Sequence, residues 1–159
     1  GAQLLDALSY LESLGVVHRD LKPANVMIDD DGVVKIIDFN LTRDSGHMTM
    51  MAGTPAYMPP DFMNLGARVD GFVDRYGVSV MLYELLVGAH PYEAEFARGG
   101  YPTPSSNPKD PASLRPDLSA AIAQFLLKGV APTDSERFSS AREMRQGWRS
   151  LDPDIQALA

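Results

Sequence analysis

The chain has 159 residues, 45% of them apolar, which is enough for one sizeable core and too apolar for a disordered segment. With 14 basic and 21 acidic residues the net charge is −7, which argues against a general nucleic-acid or membrane-surface binder. There is no cysteine, so disulfides and thiolate metal sites are excluded and a reducing, cytoplasmic setting is expected; no apolar run approaches the roughly 20 residues of a membrane span.

Leu4, Leu5, Leu8, Leu11 and Leu14 recur at helical spacing, which predicts an amphipathic helix from Ala2 to Leu14 stopped by Gly15. The next stretch, V-V-H-R-D-L-K-P-A-N-V-M-I from Val16 to Ile28, brackets a charged loop between apolar pairs that a strand could supply. Asp20, Lys22 and Asn25 place a carboxylate, an ammonium and an amide on one short turn. A proton acceptor, a phosphate-contacting cation and an oxygen ligand for a hard metal are what phosphoryl transfer needs side by side.

Val26–Ile28 and Val33–Ile37 read as two short strands, with Lys35 facing out and Asp29-Asp30-Asp31-Gly32 as the turn between them. The acidic triplet lacks the ligand spacing of a calcium loop and reads as a solvated turn. The second strand ends on Asp38-Phe39-Asn40, and residues 41–52 are polar, methionine-rich and aperiodic, hence a loop. Val73 to Val87 is helical, with a stripe of Val78, Met81, Leu82, Leu85 and Leu86 closed by Gly88. His47 and His90 read as surface histidines, and the scatter of the 3 histidines suggests no zinc site. Residues 97–116 read as a long irregular loop rich in proline and serine, and Leu118–Gly129 as a helix. Ser139 or Ser140 caps a last helix, which Trp148 and Leu151 anchor to the core.

His18, Arg19, Asp20 and Asn25 fall on the pattern H-R-D-x-x-x-x-N, and Lys22-Pro23 completes its D-L-K-P form. On these residues the chain resembles the eukaryotic-type protein kinase family, which has bacterial members, in its serine/threonine branch. The resemblance implies that Asp20 accepts the proton of the acceptor hydroxyl and that Lys22 stabilises the γ-phosphate. It also implies that Asn25 and Asp38, the latter at the D-F-G position, hold Mg²⁺. Gly53 to Asp61 is similar to the family's G-T-P-x-Y-M-A-P-E run, a platform for the substrate peptide. There Thr54 would contact Asp20 and Lys22 and help select serine and threonine acceptors. Arg19 would pair with a phosphorylated side chain of the activation segment, with Thr49 better placed than Thr42 or Ser45. Asp74 and Tyr76 match a D-x-Y helix start, where Asp74 would accept hydrogen bonds from the backbone around His18 and Arg19. Gly88-Ala89-His90-Pro91-Tyr92 resembles the G-x-x-P-[FY] exit of that helix. Four positions depart from the family: Asn40 and Ser79 replace glycine, Pro59 replaces a small residue, and Asp61 replaces glutamate. The glutamate's partner would be Arg137; aspartate is one methylene shorter, so the pair is expected to be longer or water-bridged.

The resemblance implies a mainly α fold with a small β-hairpin. This is the C-terminal lobe of a protein kinase (α+β) over residues 1–151, with 152–159 as a tail and the N-terminal lobe absent from this chain. It implies a serine/threonine protein kinase that uses ATP and Mg²⁺ on a protein substrate, with no nucleic-acid partner and no membrane segment in this chain. No G-x-G-x-x-G loop and no V-A-I-K lysine occur in the sequence. The chain is therefore read as truncated at its N-terminus and expected to bind ATP·Mg weakly and to transfer phosphate negligibly without the missing lobe. An alternative is a non-catalytic, pseudokinase-like interaction module, favoured by Asn40, Asp61 and the missing lobe and opposed by intact Asp20, Asn25 and Asp38. A third reading, a kinase of small molecules, shares the loop but leaves the Gly53–Asp61 platform without a use.

Overall fold

The computed structural model describes residues 1–39, 53–62 and 70–158, and its core is organised around one long helix. In chain order the elements are α1 (Ala2–Ser13), β1 (Val26–Ile28), β2 (Val34–Ile36), α2 (Phe72–Val87), α3 (Glu93–Ala97), α4 (Pro111–Leu114), α5 (Ala120–Gly129), α6 (Ala141–Ser150) and α7 (Asp152–Gln156). Short 3₁₀ turns lie at Pro23–Asn25, Pro55–Tyr57 and Asp134–Glu136.

Helix α2 is buried on nearly every side: Val73, Tyr76, Val78, Val80, Met81, Leu82, Tyr83 and Val87 all belong to the core. A helix with so narrow a solvent face becomes the centre against which others pack. Helices α1, α4 and α5 lie against it, and α6 closes over α1 and α5. The expected stripe is corrected at Leu85, which is 69% exposed. Gly88 ends the helix at φ +80°, a left-handed cap that costs glycine little.

Helix α1 buries Leu4, Leu5 and Leu8 as its spacing predicts, but Leu14 is 57% exposed. Leu14 stands at the cap, beyond the last helical residue, where helical periodicity no longer fixes its direction. Glu12 joins three helices, pairing with Arg75 of α2 and accepting the Ala141 amide of α6 at 2.7 Å.

The strands pair antiparallel with Val26 opposite Ile36, Met27 opposite Lys35 and Ile28 opposite Val34. Val16 and Val17 are not in a strand, so only one bracket of the charged loop is β structure. Asp29 forms the turn: its Oδ1 accepts the amides of Asp31 and Val33 at 3.1 and 2.9 Å, and its Oδ2 meets Lys35 at 2.8 Å. Gln3 of α1 clamps the hairpin, donating to the Gly32 carbonyl at 3.1 Å and accepting the Val34 amide at 2.8 Å.

The stretch 97–116 is less irregular than expected, since α3 enters it and α4 lies within it. Helices this short carry too few residues for a periodic pattern to register. Asp110 caps α4 by accepting the Ala112 amide at 3.0 Å. Ser119 and Ser140 cap α5 and α6, and Trp148 and Leu151 are buried as expected. Ile155 and Leu158 pack against the core from the C-terminal residues. Among the described residues no helix is long and apolar enough to cross a membrane.

Candidate active site

The charged loop is held from behind by α2. Asp74, in the first turn of that helix, accepts the His18 amide at 2.6 Å on one oxygen and the Arg19 amide at 2.8 Å on the other. Burial pushes the Asp74 carboxyl above its ordinary range, while the two amide bonds and the nearby His18 and Arg19 pull it back. Arg19 has φ +76°, a left-handed backbone that a long side chain rarely adopts. Two amides bonded to one carboxylate hold it there. Gly77, one turn further along α2, lets the helix come close. A Cβ at that position would lie 2.7 Å from the Leu21 carbonyl oxygen.

His18 is fully buried and links the loop to the hairpin. Its Nδ1 accepts the Asp20 amide at 3.3 Å, so Nε2 carries the proton and donates to the Ile37 carbonyl at 2.8 Å. The Phe39 ring lies 4.9 Å from it, centre to centre.

The front of the loop brings three polar groups into mutual contact. Asp20 Oδ2 is 3.1 Å from Lys22 Nζ. Asp20 Oδ1 accepts the Thr54 hydroxyl at 3.1 Å and the Thr54 amide at 3.3 Å. The same hydroxyl accepts from Lys22 Nζ at 2.8 Å. Thr54 comes from far along the chain, so this triangle is tertiary.

Asn25 is buried, and its Nδ2 donates to the Asp20 carbonyl at 2.8 Å. That bond fixes the amide and leaves its oxygen as the group able to take a cation. The Asn25 carbonyl accepts the Ile37 amide at 2.9 Å, which brings the end of β2, and Asp38 after it, alongside. Asp38 is exposed and has φ +55°. Left-handed backbone at both Arg19 and Asp38 is local strain, and it falls on the two segments that converge here. An amide oxygen and an exposed carboxylate are hard donors, and a pair of them suits Mg²⁺, which keeps waters and takes phosphate oxygens as further ligands. Among the described residues no group of three or more His, Cys, Asp or Glu gathers as a metal cluster.

Beyond Thr54 the Pro55–Tyr57 turn is fastened to α2 and its exit. The Tyr57 hydroxyl donates to Glu84 at 2.9 Å, and burial, more than the Glu84 charge, pushes that phenol up. His90 is not a surface histidine: it is half-buried, with Nε2 2.7 Å from the Ala56 carbonyl. The turn after Gly88 folds its ring inward. No spacing in the sequence marks it, whereas Gly77 carries a readable signal as a lone glycine inside an apolar helix.

Asp61 meets Arg137 directly at 2.6 Å, so the expectation of a longer or water-bridged pair is corrected. The Asp134–Glu136 turn brings the partner in, and the Asp134 amide donates to the second Asp61 oxygen at 2.6 Å. Ser79 is buried over Gly129, with its hydroxyl donating to the Arg75 carbonyl at 2.8 Å. A Cβ on Gly129 would lie 2.7 Å from that hydroxyl. Asn40, Thr42, Ser45, His47 and Thr49 lie outside the described residues.

The sequence profile of the protein kinase domain family matches residues 1–148. Serine/threonine-protein kinase PksC of Streptomyces coelicolor is 37% identical over 164 residues, which cover 98% of this chain and 29% of PksC. Serine/threonine-protein kinase pkn3 of Myxococcus xanthus is 32% identical over 170 residues, or 96% of this chain and 31% of pkn3. PknB of Mycobacterium tuberculosis, also a serine/threonine-protein kinase, is 34% identical over 152 residues, or 91% of this chain and 24% of PknB. The chain thus spans less than a third of the length of these relatives.

Proposed function

The chain belongs to the protein kinase domain family, and from that premise we propose that the protein carrying it is a serine/threonine protein kinase, transferring the γ-phosphoryl group of ATP to a Ser or Thr hydroxyl of a protein. The observation that carries this reading is the triangle of Asp20, Lys22 and Thr54. Asp20 orients the acceptor hydroxyl and takes its proton as the new oxygen–phosphorus bond forms and the bond to the leaving diphosphate breaks. Lys22 offsets charge on the phosphoryl oxygens, and Thr54 holds both side chains while presenting the acceptor. Asn25 and Asp38 are the oxygen donors for Mg²⁺, which supplies charge neutralisation when bound. Arg19 pairs with a phosphorylated side chain of the segment after Asp38, Thr49 being the first candidate. A cytoplasmic setting, where ATP is at hand, belongs to the same proposal.

Completion of the nucleotide cleft by an N-terminal lobe is part of the same proposal. Met27, Ile28 and Val33 expose apolar side chains on the hairpin beside the catalytic loop, a surface suited to cover. The non-catalytic reading loses one support, because the Asp61–Arg137 pair forms directly in spite of the shorter acid.

The test is Asp20→Asn in the full-length protein, assayed for phosphate transfer from labelled ATP to a protein acceptor. A loss of roughly 10²–10⁴-fold with the fold retained is expected. Wild-type turnover in the variant, or no Mg²⁺-dependent nucleotide binding by the wild type, overturns the reading.

A further inference from the structure

We propose that His90 is a positioning residue for the protein acceptor, a clamp that fixes the Pro55–Tyr57 platform relative to Asp20. The inference rests on the kinase reading above and adds a residue to it.

Both ring nitrogens of His90 are committed. Nδ1 accepts the Tyr92 amide at 3.0 Å, so the proton sits on Nε2, which donates to the Ala56 carbonyl at 2.7 Å. The platform turn closes through Tyr57 N–H to the Thr54 carbonyl at 2.9 Å and Met58 N–H to the Pro55 carbonyl at 3.2 Å. Neither bond uses the Ala56 carbonyl, and the imidazole takes it. At the next residue the Tyr57 hydroxyl is held by Glu84. Two successive platform residues are therefore fastened to α2 and its exit, one by main chain and one by side chain.

The ring itself cannot drift. Phe96 of α3 meets it edge-on at 5.1 Å and Tyr57 edge-on at 6.4 Å. Thr54, which touches Asp20 and Lys22, immediately precedes this turn. A clamp on Ala56 thus sets where an acceptor segment lying on the platform stands relative to Asp20. It touches neither Asp38 nor Asn25, so nucleotide and metal binding are outside its reach.

Two substitutions separate the clamp from a role in the local turn alone. His90→Asn places an oxygen where Nδ1 stands and keeps an acceptor for Tyr92, but is too short to reach Ala56. His90→Gln places an amide donor near the Nε2 position and gives up Tyr92. In the full-length protein His90→Asn is expected to raise the acceptor KM roughly three- to tenfold, the value of one hydrogen bond, with the ATP KM and kcat little changed. His90→Gln is expected to restore an acceptor KM near wild type. Hydrogen exchange at the Tyr57 and Met58 amides should quicken in the Asn variant and not in the Gln variant. Equal acceptor KM and equal exchange in wild type and His90→Asn overturn the clamp, as does a raised acceptor KM in His90→Gln alone, which marks a role in the Tyr92 turn only. A wild-type protein that phosphorylates nothing counts against the kinase reading instead, and the exchange comparison then still decides whether His90 holds the platform.

Discussion

Asp61 and Arg137 form a buried ion pair, Oδ1 to Nη2 at 2.6 Å, with side chains only 7% and 4% exposed. The guanidinium also donates to the Ala131 carbonyl at 2.8 Å and lies over the Tyr76 ring at 5.4 Å, while its Nε has no partner among the described residues. Asp134 stands 3.7 Å from the same nitrogen but is 43% exposed, a longer and more screened pair, so Arg137 is poorly compensated without Asp61. Asp61→Ala should lower the unfolding free energy of the full-length protein by about 3–5 kcal/mol, since it strands a buried charge. Replacing both partners, Asp61→Leu with Arg137→Met, should cost much less, because no charge is then left inside. Urea unfolding of the two variants decides it, and equal losses would contradict the burial argument.

Gly77→Ala sets two effects against each other. Alanine is the better helix former by about 1 kcal/mol. The added Cβ, however, would stand 2.7 Å from the Leu21 carbonyl oxygen, a backbone atom that cannot rotate aside. Either α2 retreats or the loop carrying Asp20 shifts. Overpacking of this kind costs about 1–3 kcal/mol, so the steric term wins. The variant should melt lower and turn over more slowly, and a raised melting temperature would show that the loop yields freely.

The legible part of this protein is the part whose geometry is local. Asp20, Lys22 and Asn25 lie within one turn of chain, so their spacing alone brings them together. Asp74 was readable through its match to a helix-start pattern, and its two amide bonds appear as expected. His90 was not readable: its partner is the backbone carbonyl of Ala56, and a carbonyl leaves no mark in the residue type. The directness of the Asp61–Arg137 pair was missed because a methylene count ignores how far the Asp134–Glu136 turn travels to meet it. Leu14 and Leu85 failed for a simpler reason. Periodicity gives the direction of a side chain but not whether anything lies there to cover it.

Glu143 should make stability fall in acid. The Lys128 ammonium at 2.7 Å, then the Ser139 amide at 2.8 Å, hold its carboxyl down at about 2, against 4.5 for a free glutamate. A lowered folded value means the contribution is present above the unfolded value and is lost as pH falls from 4.5 toward about 2. The side chain is 39% exposed, so solvent screens the pair and its worth at neutral pH is under about 1 kcal/mol. Glu143→Gln should therefore be slightly less stable than wild type at about pH 6, with the gap narrowing below about pH 4.5 and closing toward about pH 2. Asp74, whose burial raises its carboxyl, gives the opposite slope, but it does so in both proteins and cancels in the difference. A gap in urea midpoints that widens toward acid would rule the assignment out.

Among the described residues the Thr54 hydroxyl is the one group that bonds both Asp20 and Lys22, donating to the first at 3.1 Å and accepting from the second at 2.8 Å. Thr54→Val keeps the shape and removes only that oxygen. The Thr54 amide remains on Asp20 at 3.3 Å, so the platform stays attached to the loop. Lys22 then has Asp20 as its remaining partner in the triangle, at 3.1 Å, and closes on it. A tighter ammonium makes the carboxylate a weaker proton acceptor and draws the cation from the phosphate, so both proposed roles suffer together. With one oxygen serving two charged partners, the loss is about 1–3 kcal/mol, or roughly 5- to 150-fold in kcat, and the ATP KM changes little. Thr54→Ser keeps the hydroxyl and should stay within about threefold of wild type. Steady-state kinetics of the full-length variants make the comparison. If valine and serine behave alike, the hydroxyl is idle, and Asp20 and Lys22 are held apart by something other than Thr54.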